Sequence, residues 1–361
     1  MIYLKTYQKY IINNFLATFG KIFFIFLSLA FVLTIFEEIS FFKDIEISFF
    51  VPFFLTLLNV PSVLYEIFPF IFLISTQFFF IKLADRHELI ALKNFGLNNI
   101  KVLKLISFTT LLMGILIITL FYNFSASMKF LYFDIKNEYT KDNKYLAAIT
   151  ENGLWIKDEI NENINIVNAE KIAKNKLINV DILQFDKNFS LLQIIYSNEV
   201  DITNNNWQIN DATFSKYDSL EKSVKNLEFQ SNFNYKKISS LFSNLSSLNM
   251  LELNKMKKDY GAMNYSTTEI NSHMQKIFSY PVYLLIMTIL SATIMMNIRY
   301  DKPKIFHLLF GILLSVVIYY IHYFLSVLGK SEKIPIIASI WVPIILLTII
   351  SSIGLIRINE K

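Results

Sequence analysis

The sequence contains no cysteine, and its 361 residues include only four histidines, none of which lies in the middle of the chain. Without cysteine the chain has no disulfide, no thiolate metal site and no thiol nucleophile. The middle block also shows no cluster of metal ligands and no Ser/His/Asp pattern. We therefore expect no catalytic site, no metal and no cofactor. The net charge of +5 is small for a chain of this size, and we expect no nucleic-acid partner.

A nucleotide-binding loop is missing as well. Gly329-Lys330-Ser331 resembles the end of such a loop, but Phe324 stands where the first glycine of the pattern is needed. If the protein carries out active transport, we expect the energy to come from a separate ATPase.

Long apolar stretches dominate the chain, which is 54% hydrophobic. A helix rises 1.5 Å per residue, so each stretch is long enough to cross a hydrocarbon core of about 30 Å. We predict an α-helical membrane protein in which residues 1–124 and 271–361 each contribute three spans around an inserted domain at 125–270. The six predicted spans are roughly residues 11–36, 52–81, 101–124, 274–297, 304–328 and 336–356.

The inserted block changes from helical to alternating periodicity. Apolar residues alternate with polar ones in short runs, and Asn204-Asn205-Asn206 predicts a turn before Trp207. This pattern is typical of an antiparallel β sandwich or jellyroll with one face toward a core. Near its end, at 238–262, leucines such as Leu251 recur at near-helical spacing and predict one or two helices. The runs used are Leu154 and Ile156, Ile164 and Ile166, and Ile178, Val180 and Ile182.

The short loops carry an asymmetric charge. Thirteen Lys and Arg residues lie at the two ends of the chain and in the loops after the second and fourth spans, against three in the other short loops. Positively charged loops stay in the cytoplasm. We therefore predict cytoplasmic termini and an external middle domain, which in a bacterium with two membranes means the periplasm.

The loop after the second span predicts a short helix over residues 83–95. Leu89 and Leu92 share one helical stripe, Gly96 suits a left-handed helix stop, and Asn98 can cap the next helix. An ordinary amphipathic connector would have the same pattern. The functional interpretation is a coupling helix that binds a cytoplasmic partner.

The order and spacing of several motifs resemble the LptF/LptG permeases of the lipopolysaccharide exporter along essentially the whole chain. Glu88 and Gly96 match the acidic position and the terminal glycine of the family's coupling segment. The Gly-Leu-Trp sequence at 153–155 favours LptG over LptF. The motifs are Val60–Pro69, Glu88–Leu97, Gly153–Asp158 followed by Ile164–Ile166, and Lys276–Pro281.

This resemblance implies the permease subunit of an ATP-driven lipopolysaccharide extractor in the bacterial inner membrane. The implied partners are an LptF-like paralogous permease, a cytoplasmic LptB-like ATPase dimer and an LptC/LptA-like periplasmic bridge protein. Lipopolysaccharide would enter a cavity gated by the first and fifth helices and pass to the β-jellyroll. The candidate cavity residues are Phe26, Ala30, Leu33 and Phe36 on the first span, and Ile312, Val316, Tyr319, Tyr320 and Tyr323 on the fifth.

One departure from the family concerns the outer end of the first helix. Family members carry a basic residue there, whereas this chain has Thr34, and its nearest base is Lys43. Because Thr34 takes the place of a base, we expect Thr34→Lys to be tolerated. The alternatives to an LptG-like permease are the LptF-like subunit, a membrane-anchored periplasmic receptor or scaffold without transport activity, and a membrane-embedded lipid-modifying enzyme.

Overall fold

The structure is a computed structural model that describes residues 5–43, 45, 47–139, 154–160, 163–173, 175–216, 219–235, 237–238, 244–262, 266–296 and 304–359. The chain folds into two compact units. One comprises residues 1–129 and 268–361, and the other comprises residues 130–267. Gly153, the first residue of the Gly-Leu-Trp motif, lies outside the described residues.

Six membrane-spanning helices were predicted, and six described helices are long and apolar enough to cross a membrane. The third span is longer than predicted because α4, a π-helical turn at Ile117–Phe121 and α5 form one continuous helix. The helices are α1 (Thr6–Phe41), α2 (Phe50–Asp85), α3 (Glu88–Asn94), α4 (Asn99–Leu116), α5 (Tyr122–Glu138), α6 (Met250–Ala262), α7 (Thr268–Met296), α8 (Lys304–Lys330) and α9 (Ile336–Asn359).

Helices α2 and α7 form the centre of the membrane unit. Helix α2 packs against α1, α7 and α8, while α7 also contacts α4 and α9. Small and hydroxyl-bearing residues allow the close packing that membrane helices need in the absence of a hydrophobic driving force. Ser291 Oγ of α7 donates a hydrogen bond to the Leu73 carbonyl oxygen of α2 at 2.7 Å.

The second unit contains a six-stranded antiparallel sheet in the sequential order β1 to β6. The inserted antiparallel β domain is thus confirmed. Each described strand pairs with its neighbours in sequence, so the described strands form a meander and do not show the crossovers of a jellyroll. The strands are β1 (Leu154–Ile160), β2 (Asn163–Ala173), β3 (Lys176–Phe185), β4 (Leu191–Asp201), β5 (Asn206–Lys216) and β6 (Ser219–Gln230).

One face of the sheet packs into a core around Trp207. This side chain is fully buried, and its Nε1 donates to the carbonyl oxygen of Phe233 at 2.8 Å. The alternation predicted for β3 is interrupted at Asn179, whose φ of 50° shifts the phase of the strand. As a result Leu177 and Val180 are both buried, whereas Ile178 is only half-buried.

A buried carboxylate ties β1 to the segment that follows β6. Asp158 is 2% exposed and accepts hydrogen bonds from Ser231 Oγ at 2.8 Å and from both the backbone and side-chain nitrogens of Asn232. Such charge-assisted bonds offset the cost of burying the carboxylate. Further along, α6 confirms a helix within the predicted 238–262 segment; it turns Leu251 outward at 82% exposure and buries Leu253.

Candidate functional site

A sharply bounded helix connects the second and third spans. Helix α2 continues to Asp85, and the chain then turns at His87, whose φ of 55° is unusual for a residue other than glycine. The single helix predicted over residues 83–95 is therefore divided there, and α3 begins only at Glu88. Gly96 has a φ of 75°, which confirms the predicted left-handed stop. The Asn98 side chain accepts from the Lys101 backbone N–H at 3.1 Å, which confirms the predicted cap.

The side chains of α3 point in directions that the sequence did not reveal. Leu89 and Leu92, the predicted anchors for a partner, are half-buried and pack against the core of the membrane unit. The exposed apolar residues are Ile90 at 44% and Phe95 at 84%. The stripe predicted to face a partner therefore faces the chain itself, and a partner would meet Ile90 and Phe95.

Glu88 stands at the first turn of α3, where a carboxylate is favoured by the helix dipole. Its side chain is 23% exposed and lies 3.7 Å from Arg86 Nη1. This pair is too open to contribute much stability. The carboxylate can exchange Arg86 for a cation of another protein.

Polar contacts fix the ends of this connection. Asp85 pairs with Lys304 at the start of α8. Lys101 Nζ donates to the carbonyl oxygen of Gly96 at 2.9 Å, and Lys82 Nζ of α2 donates to Asn14 Oδ1 of α1 at 2.9 Å. These contacts join the chain on either side of α3 to α1, α4 and α8, while Leu89 and Leu92 pack α3 itself against the membrane unit.

The candidate cavity residues of α1 do not share one environment. Leu33 and Phe36 are 57% and 66% exposed, and Phe26 packs edge-on against Phe70 of α2. Ala30 is only 3% exposed and belongs to the core. Ala30 lies on the face of α1 that packs within its own subunit, so it does not share the exposed surface of Leu33 and Phe36.

The candidate residues of α8 are mostly uncovered. Val316, Tyr319, Tyr320 and Tyr323 are between 43% and 63% exposed, whereas Ile312 is half-buried and packs against the core. The buried residues of α8 include Gly311, Ser315 and Ser326, which pack within the unit. The exposed stripe is therefore available to another membrane component.

Thr34 occupies a protected position on α1. It is 2% exposed, and Glu38, one turn further, is 1% exposed. A lysine at position 34 would have to bury its charge or distort the helix packing. The expectation that Thr34→Lys is tolerated is therefore withdrawn.

Two polar features of the membrane unit escaped the sequence analysis. Gln77 is fully buried in α2, and its Nε2 donates to the His307 carbonyl oxygen of α8 at 3.2 Å. Lys129 Nζ donates to Ser62 Oγ at 2.8 Å. The contact of Gln77 could have been predicted from the sequence, because a glutamine inside an apolar span needs a hydrogen-bond partner at membrane depth.

Among the described residues, no group of three or more His, Asp or Glu side chains is placed to hold a metal ion.

Six spanning helices, an inserted β domain and a short helix with exposed apolar side chains between two spans define the class of a membrane transport subunit. The family model of the lipopolysaccharide export system permease LptF/LptG matches residues 9–357, and the chain belongs to this family. It is a multi-pass inner-membrane protein and a permease subunit of lipopolysaccharide export. A comparison with curated proteins gives no significant match.

Proposed function

We propose that this chain is the LptG-like permease subunit of an ATP-driven extractor that lifts lipopolysaccharide from the inner membrane to a periplasmic bridge. It pairs with an LptF-like paralogue, binds an LptB-like ATPase dimer on the cytoplasmic side and delivers lipid to an LptC/LptA-like protein. The observation that carries the proposal is the short helix α3 between two spans: α3 exposes Ile90, and the turn directly after it exposes Phe95. Exposed apolar side chains of this kind are typical of a protein interface.

The coupling step acts through α3 as follows. Phe95 fills an apolar groove of the ATPase, Ile90 packs beside it, and Glu88 leaves Arg86 for a basic residue of the ATPase. Aromatic anchors in a desolvated pocket supply most of the binding energy of an interface. The contacts of Asp85 with Lys304 and of Lys101 with Gly96 then transmit the movement to the spans.

Copurification with the ATPase tests this step. Phe95→Asp should abolish ATPase association while membrane insertion is retained, because Phe95 makes little contact with its own chain. Phe189→Asp is the matched control: Phe189 is also exposed, at 62%, but lies between β3 and β4. Glu88→Lys should reduce ATPase association more than Glu88→Ala, since the lysine would face a basic residue of the ATPase. Normal association and export with Phe95→Asp would exclude α3 as the coupling element.

Orientation has its own test. The charge asymmetry supports cytoplasmic termini and a periplasmic β domain. Reporter fusions at Asn94 should be active only in the cytoplasm, and fusions at Asn205 only in the periplasm. Cytoplasmic labelling at Asn205 would contradict the whole mechanism.

The lipid path uses the uncovered faces of α1 and α8. We assign Leu33 and Phe36 on α1 and Tyr319 and Tyr323 on α8 to the cavity shared with the paralogue. Photocrosslinkers at these positions should capture lipopolysaccharide during turnover. Ile345 on α9 is the control, because it is 52% exposed but lies on another helix. Equal capture at Ile345 would mean ordinary lipid contact.

Purification of the whole membrane complex separates the remaining alternatives. A permease copurifies with an ATPase and a paralogous permease, whereas a scaffold or receptor requires neither. The copurified paralogue also decides between LptG-like and LptF-like, since the two subunits differ in sequence and would occupy complementary places in one complex.

A further inference from the structure

A cavity of about 470 Å³ opens between α1, α2 and the continuous helix formed by α4, the π turn and α5. All of its lining side chains are apolar. Five phenylalanines form much of the wall: Phe19 and Phe23 of α1, Phe68 of α2, Phe121 of the π turn and Phe124 of α5. A cavity of this size falls in the range of small-molecule binding sites, and its lining admits only hydrocarbon.

The cavity lies halfway along each helix that forms it. Phe23 is near the middle of α1, Phe68 is near the middle of α2, and Ile117 is near the middle of the span Asn99–Asn137. In a membrane this level corresponds to the hydrocarbon core, where no water is present to fill an open apolar space. The only abundant material at that depth is the acyl chain of a lipid.

The backbone is shaped around the opening. The Tyr122 N–H donates to the Ile117 carbonyl oxygen, five residues earlier, so this turn is wider than an α-helical turn. Such π bulges are rare and occur frequently at functional sites. On the opposite side of the helix, a Cβ at Gly114 would lie 2.9 Å from Pro281 Cα. This close approach fixes α4, which contributes to the cavity wall, against α7.

The aromatic wall is rigid and already packed. Phe68 meets Phe121 edge-on with ring centroids 5.1 Å apart, and Phe23 stacks on Phe68 at 5.9 Å. Rings held by one another in this way do not turn inward to close the space without losing these contacts. The cavity is therefore a built feature of the packing.

A partner helix does not fit the space. One turn of helix, about 11 Å wide with side chains and 5.4 Å high, occupies roughly 500 Å³. The cavity is comparable in volume to one such turn, so a spanning helix of about 20 residues could only cover its opening and could not fill it. A single flexible hydrocarbon chain matches the volume, the depth and the lining.

We infer that this cavity binds one acyl chain of a bilayer phospholipid, held between α1 and the π turn. The transported lipid is not the occupant, because α8 contributes no lining residue and packs instead on α2, α7 and α9. The phospholipid acts as a filler that supports α1 beside its contact with α2.

Photolabelling tests the inference on the purified permease complex in phosphatidylcholine nanodiscs. A trace of phosphatidylcholine with a diazirine in the middle of one acyl chain is activated, and the labelled residues are located by mass spectrometry. We expect labelling concentrated at Leu120, Phe121 and Phe124 of the unmodified chain. Labelling no stronger there than at Ile115, a 44% exposed neighbour outside the cavity, would overturn the inference.

A filling variant sharpens the result. Ile117→Trp should reduce cavity labelling about tenfold, which corresponds to about 1.4 kcal/mol, or the burial of fewer than two methylene groups. Ile115→Trp, with the same residue change two positions earlier, should leave it unchanged. If excess lipopolysaccharide removes the cavity label, the site belongs to the transported lipid and the phospholipid assignment is wrong. Equal labelling in both variants would also reject it.

Discussion

The central and outer helices of the membrane unit differ in how much of their surface this chain covers. In the most apolar 18-residue stretches of α2 and α7, 67% and 61% of the residues are buried, against 17% in both α1 and α8. All four helices are comparably apolar. Lipid tails are as apolar as leucine, so a lipid-facing surface and a protein-facing surface have similar compositions. The difference shows that α2 and α7 form the scaffold, while α1 and α8 keep surfaces for other molecules.

The strongest test of this contrast compares two glycines. A Cβ at Gly114 would lie 2.9 Å from the Pro281 backbone of α7, whereas no atom lies within 4 Å of a Cβ at Gly20 in α1. Gly114→Leu should force α4 and α7 apart and lower the free energy of unfolding by about 3 kcal/mol. Unfolding in a denaturing detergent, followed by circular dichroism, gives the measurement.

Gly20→Leu is the matched control and should leave the unfolding midpoint unchanged or raise it slightly, because leucine has the higher helix propensity. Equal destabilisation by both substitutions would mean that α1 is as tightly enclosed as α7. The contrast between central and outer helices would then fail.

The elements of the membrane unit were predictable because length and apolarity alone define a spanning helix. Six spans, the left-handed Gly96 and the Asn98 cap all follow from local rules. The division at His87 does not, because a positive φ is uncommon at any residue other than glycine, histidine included. The extension of the third span through a π turn also depends on packing against α1, α2 and α7.

Which face of each spanning helix is buried could not be read from the sequence. Ala30 and Leu33 appeared to share one stripe, yet their exposures are 3% and 57%. The buried face was easier to predict in the β domain, because water on one side makes the exposed positions polar. Leu154 and Ile156 are buried as predicted. On α3, Leu89 and Leu92 formed a genuine stripe, but a periodic pattern alone cannot tell a partner from the chain's own core.

Lysine substitutions near the C-terminal end of α1 are expected to have the next largest effect. Thr34→Lys should lower stability by about 2 kcal/mol and reduce export, because the charge enters a protein-facing position. Leu33→Lys is the neighbouring control. At 57% exposure its side chain can extend toward the membrane surface, so complex assembly should be retained.

Thermal unfolding and complex yield measure both variants. If the Thr34→Lys variant assembled normally and the Leu33→Lys variant failed to assemble, the assignment of the two faces would be reversed. This result would also mean that Thr34 lies on an uncovered face of α1.

The smallest effect concerns the link between a central and an outer helix. Gln77 of α2 donates to the His307 carbonyl oxygen of α8, and Gly311 provides the space, since a Cβ there would lie 2.0 Å from Gln77 Nε2. Gln77→Leu removes this bond and should cost about 1 kcal/mol. Because few other polar contacts hold this part of α8, hydrogen exchange over residues 304–312 should become faster.

Thr76→Val is the control: Thr76 is equally buried, but its hydroxyl donates to Phe72 within α2. Unchanged exchange in Gln77→Leu would show that apolar packing alone positions the outer helix.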